Sequence, residues 1–182
     1  MKKIVYLALL VVLFGCEEEM WPPCETPLDN YDTIPLYIDS SCQINETIVR
    51  KVETLNTFTE SVLCEPLVEI IGTIDVDQED YTLPVNTISC YAVETTWYYD
   101  SEYTDFIGYS EYFTNIRLFL FKAISKKQLN TLILHELFHY VGIVGHSSRL
   151  TDVSNADIPL TANYTEGDKG IFCADGEYVC QN

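Results

Sequence analysis

The chain has 182 residues, 47% of them hydrophobic and 21% charged, a balance that suits one globular domain with its own core and excludes a disordered or fibrous chain. Its 28 acidic side chains against 10 of Lys and Arg give a formal net charge of −18 at pH 7. Nucleic acid is thereby excluded as a natural partner, because its phosphates would meet a strongly negative surface.

In chain order, Met1-Lys2-Lys3 comes first, followed by an apolar run from Ile4 to Phe14 and then Gly15-Cys16. A basic start and an apolar stretch too short to span a bilayer predict an export signal over residues 1–15. Leu13-Phe14-Gly15-Cys16 resembles a bacterial lipobox, although Phe14 departs from the usual small residue. That resemblance implies cleavage before Cys16 and acylation there, anchoring an exported chain to a bacterial membrane. Glu17 to Glu19 resemble the acidic signal by which some Bacteroidetes send lipoproteins to the cell exterior, so the expected location is the outer membrane or cell surface. The plainer alternative is an ordinary signal peptide with a chance cysteine. The remaining cysteines, Cys24, Cys42, Cys64, Cys90, Cys173 and Cys180, are even in number and predict structural disulfides in an oxidising compartment, with no pairing selected.

Residues 16–33 are acidic and carry Pro22, Pro23 and Pro27, which predicts a tether between lipid and a domain spanning residues 34–182. Ile34 to Asp39 reads as a first strand. Ser41 is placed to cap a helix whose apolar face is Ile44, Ile48, Val52, Leu55, Phe58 and Val62. Leu67 to Ile74 reads as a buried strand. Asp75 to Asp80 is dense in carboxylates, but Asp80 stands where a calcium loop needs glycine and Asn86 where it needs a bidentate glutamate, so a solvated turn is expected. Further strands are predicted over Thr87 to Tyr99, Gly108 to Phe113 and Ile116 to Phe121. Ser125 and Gln128 form a capping box that opens a helix running to Gly142. Thr165 to Asp168 opens a last short helix. The predicted class is α+β: a twisted mixed sheet packed on an N-terminal helix and a helix bearing the chemistry, with a short C-terminal helix.

That chemistry lies in His135-Glu136-Leu137-Phe138-His139. Histidines four apart stand one turn above each other on a helix, so two imidazoles can share one cation while Glu136 projects beside them. A catalytic zinc site needs three protein ligands and an open position for water. Gly142 lets the chain turn back, and His146 arrives four residues later. His135, His139 and His146 are the chain's complete set of histidines. Asp152, Asp157 and Glu166 are the rival third ligands.

These residues resemble the signature of the metzincin clan of zinc peptidases, H-E-x-x-H-x-x-G-x-x-H followed by a methionine-containing turn. His135, Glu136, His139 and Gly142 match in place. His146 comes one residue late, as it does in archaemetzincins, although the cysteine tetrad that follows in those proteins is absent. Asp152-Val153-Ser154-Asn155-Ala156 resembles the clan's turn, with Val153 or Ser154 where methionine would stand, and this departure puts the floor under the metal in question. Pro23 to Asp29 faintly resembles the cysteine switch of some metzincin proforms, which would leave Cys24 free. The resemblance implies a metzincin-like zincin fold, one catalytic Zn²⁺ on His135, His139 and His146, Glu136 as general base, and a protein or peptide substrate. The rival from another class is a catalytically degenerate zinc-binding surface lipoprotein acting in protein binding.

Overall fold

The computed structural model describes residues 32–99, 106–111, 113–122, 124–157, 163–175 and 180. The leader, Cys16 and Cys24 lie outside them.

Strand β1 (Ile34–Asp39) buries Leu36 and Ile38 beneath the helical layer. It is the second strand of a five-stranded sheet of order β2-β1-β3-β5-β4, with β2 spanning Val68–Ile74, β3 Thr87–Tyr91, β4 Gly108–Glu111 and β5 Asn115–Phe119. The pairs β1/β2, β1/β3 and β3/β5 are parallel, whereas β4 runs antiparallel to β5 and, among the described residues, pairs with no strand on its outer side. Helix α1 (Asn45–Leu63) connects β1 to β2 and buries Ile48, Val52, Leu55, Phe58 and Val62, the stripe its 3.6-residue spacing predicts.

Four local expectations change. Ser41 does not cap α1: Ile44 occupies that position without a side-chain cap bond, because the Asp39 carboxylate takes the Ser41 backbone N–H at 3.0 Å and fixes a turn there. Strand β2 is an edge strand with alternate side chains exposed rather than a buried one. Its pairing shifts where Leu36 meets Ile70 but Tyr37 meets Gly72, a bulge that leaves Ile71 out. The expected strand over Thr87 to Tyr99 ends at Tyr91 and gives way to a helical turn, α2 (Thr96–Tyr99). Glu79 holds that turn by accepting from the Thr96 hydroxyl at 2.9 Å, and the Trp97 indole donates to Gln78 O at 3.1 Å. Strand β5 stops at Phe119 and is buried on both faces. Leu120 N instead donates to Tyr91 O, and the rings of Tyr91, Tyr98 and Phe119 form a second cluster on the side away from the main core.

Helix α3 (Lys126–Tyr140) begins at the predicted capping box, with Gln128 N donating to Ser125 Oγ at 3.2 Å and Ser125 N to Gln128 Oε1 at 3.0 Å. Thr131 to Phe138 are all buried, so the helix lies inside the molecule rather than on it. Its back is gripped by Phe58 of α1 and Phe172 of α4 (Glu166–Asp175), which meet Phe138 at centroid distances of 6.2 and 5.8 Å. Disulfides join Cys42 to Cys90 and Cys173 to Cys180, and Cys64 is also disulfide-bonded.

Candidate metal centre

A cation site on α3 needs imidazoles on one face of the helix, and the helix places His135 and His139 there, one turn apart. The third imidazole depends on the helix ending at once. Gly142 adopts φ +95°, a left-handed conformation, and its N–H donates to His139 O at 2.9 Å. Space also demands glycine here, since a Cβ would stand 2.9 Å from the Phe113 ring. The reversed chain brings Ile143 O to within 2.5 Å of His139 Nδ1, then returns His146 over the helix.

The three rings converge through one kind of atom. His139 Nε2 stands 3.0 Å from His135 Nε2 and 3.2 Å from His146 Nε2, and one ligand atom from each histidine falls within a span of 4.8 Å. The far nitrogens of the first two point at backbone carbonyls, His135 Nδ1 at Val153 O (2.8 Å) and His139 Nδ1 at Ile143 O. A proton on Nδ1 satisfies each carbonyl and leaves a lone pair on Nε2. Burial, with the neighbouring His139, drives His135 down to about 3, and burial lowers His139 as well, so both rings are neutral at physiological pH.

These features fit a zinc ion. Nitrogens about 2.0–2.1 Å from a tetrahedral centre stand about 3.3 Å from each other, close to the 3.0 and 3.2 Å that separate His139 Nε2 from the other two rings. Neutral imidazoles fixed by second hydrogen bonds are the donors such an ion takes. Among the described residues these three histidines form the metal-competent cluster, and no carboxylate belongs to it. Asp152 is buried but engaged with Ser147 Oγ and Thr165 Oγ1, while Asp157 and Glu166 are exposed.

Glu136 follows His135 on the helix and is fully enclosed, and that burial pushes its carboxyl up to about 8. Its carboxyl lies against the backbone of β4, where Gly108 leaves room: a Cβ there would meet Glu136 Oε1 at 2.7 Å and Leu132 Cδ1 at 2.8 Å. The sequence marks Gly108 as the start of a strand, Gly108 to Phe113, that is the candidate to pair with an extended substrate, but nothing in it pairs Gly108 with residue 136. It likewise marks Asp168 only as part of a helix start. Asp168 in fact accepts from the Val153 and Ser154 backbone N–H groups at 3.0 and 2.8 Å, within the turn under His135. Val153 and Ser154, which the sequence resemblance sets against the clan's methionine, are both buried.

No protein-family model and no curated protein sequence matches the chain. Among solved structures it is similar to archaemetzincin from Methanopyrus kandleri, with a TM-score of 0.51 at 10% sequence identity over 79% of this chain and 96% of that one. The chain therefore has an α+β fold like that of archaemetzincin, with a three-histidine cluster able to hold a metal ion.

Proposed function

We propose that this protein is a zinc-dependent metalloendopeptidase acting on extracellular or envelope proteins. The observation that carries the reading is the convergence of three imidazoles through Nε2 beside a buried carboxyl that is not itself one of the cluster. A purely structural zinc site is closed by four protein ligands and has no use for a general base.

Zinc bound by His135, His139 and His146 would supply Lewis acidity toward a carbonyl oxygen and lower the pKa of a water to about 7. Glu136 takes the proton of the attacking water and delivers it to the leaving amine. Val153 O and Ile143 O hold two of the ligand rings in orientation. The open side of β4 offers backbone donors and acceptors to an extended peptide, which would pair with it as an added strand over the site. Chelator-sensitive cleavage of unfolded protein tests the reading. It should vanish by about 10²- to 10⁴-fold in Glu136→Gln while zinc stays bound; equal activity in that variant would defeat the mechanism.

The absence of methionine after Met20 favours a second reading, a degenerate relative that keeps zinc for protein binding. Zinc retention without cleavage of any peptide in an unbiased library would select it. We also infer export and acylation at Cys16, which the leader pattern supports and with which the disulfides of the domain agree. Labelled palmitate should enter the chain in a bacterial host and fail to enter Cys16→Ser; equal labelling of both would refute the anchor.

A further inference from the structure

A clan member without its methionine needs another way to hold the floor of the metal site. The turn over Asp152 to Asn155 touches two of the three histidine positions. On one side Val153 O orients the His135 ring at 2.8 Å. On the other, Ser154 O accepts from Ser147 N at 3.1 Å and Asn155 Nδ2 donates to Ser147 O at 2.8 Å, so the residue following His146 is clamped from both its backbone groups. Displacing this turn would move His135 and His146 together.

The turn's backbone N–H groups at Val153 and Ser154 are fastened to α4 by the Asp168 side chain. Asp168 is fully buried, and its two oxygens meet four donors of their own. Oδ1 accepts from Ser154 N at 2.8 Å and Ser154 Oγ at 2.6 Å. Oδ2 accepts from Val153 N at 3.0 Å and Thr165 N at 2.9 Å, and lies 3.0 Å from Thr165 Oγ1, whose single proton it shares with Asp152 Oδ1. Asp168 N in return donates to Thr165 Oγ1 at 3.2 Å, so the same residue closes the first turn of α4, where the helix dipole favours its negative charge. Every group facing the carboxylate donates, a demand that only an acceptor on both oxygens satisfies. Ser154, one of the two residues at the methionine position, supplies one of those donors with its hydroxyl. The neighbouring Gly167 is needed as well, since a Cβ there would run into the Asp152 carboxylate.

We propose that Asp168 is a positioning residue of the metal centre, replacing the missing methionine with a buried polar latch that sets the His135 and His146 rings for one cation. The proposal rests on the reading of the three histidines as a metal site. Groups that orient ligand imidazoles typically change metal affinity about 10- to 100-fold when removed, and Asp168 acts one bond further out through a rigid turn. Asn at position 168 keeps the volume but turns an N–H₂ toward backbone N–H groups.

The experiment measures zinc dissociation constants by competition with a chelating dye in the full chain, together with the visible absorption of the cobalt-substituted protein, which reports ligand geometry. Asp168→Asn should bind zinc about 10- to 100-fold more weakly with an altered cobalt spectrum. Ser154→Ala, which removes one hydroxyl and keeps the backbone bonds, should weaken binding roughly two- to tenfold. Loss of thermal stability in Asp168→Asn with affinity and spectrum unchanged would make it a helix cap only and overturn the proposal. If that variant does not fold, a wild-type affinity and spectrum in Ser154→Ala overturns it. Failure of the wild-type chain itself to bind zinc would sink the metal-site reading, an outcome distinct from wild-type binding that the variants leave untouched.

Discussion

Glu136 combines two demands that oppose each other, since a general base must ionise while its position removes it from water. In the metal-free chain burial favours the acid form, raising its pKa from 4.5 to about 8. The stability this lends is complete below 4.5 and is lost as pH climbs through about 8. His135 behaves in the opposite sense: lowered from 6.5 to about 3, its neutral form costs stability only below 6.5, and His139 is lowered in the same direction. From pH 6.5 to 8, therefore, the glutamate alone of these three still changes, by about 2 kcal/mol. Thermal unfolding of the chelated protein should show the wild type losing stability across that window while Glu136→Gln stays level. Parallel pH curves for the two would mean that the carboxyl is solvated rather than enclosed. A bound cation supplies the opposite charge and should flatten the wild-type curve.

Strand β4 and helix α3 meet at their closest where Gly108 faces Glu136. Gly108→Ala should cut turnover at least about tenfold by pushing the carboxyl aside, and should do so less in a Glu136→Asp background, whose shorter side chain leaves space. Strictly additive losses in that double-mutant cycle would show that the glycine serves packing alone. Helix α3 was legible in the sequence because its signals are local: Ser125 and Gln128 cap it, and Gly142 ends it. The histidine pattern was legible for the same reason, three ligands lying within twelve residues. What escaped depends on distant partners. Ser41 loses its capping role to Asp39, and the run after Tyr91 bends into α2 because Glu79 and Gln78 hold it there. Neither Gly108 nor Asp168 carries a mark of its function in its own neighbourhood, since each acts on a residue in another element.

At the scale of the molecule, the sheet carries one helical layer, and the site sits where that layer meets the antiparallel edge strand. The main core, from Leu36 and Ile38 through Phe58 to Phe138 and Phe172, fixes α3 from behind, so the histidine-bearing side of the helix is held by packing. The negative charge of −18 attracts cations to the surface. The central claim is that three imidazoles hold one ion and leave Glu136 free. A crystal grown with zinc and measured across the zinc absorption edge tests it most directly. One anomalous peak is expected about 2.0–2.1 Å from Nε2 of His135, His139 and His146, with the Glu136 carboxyl beyond bonding distance. A peak bonded to Glu136 in place of His146, or none between the rings, would contradict the account.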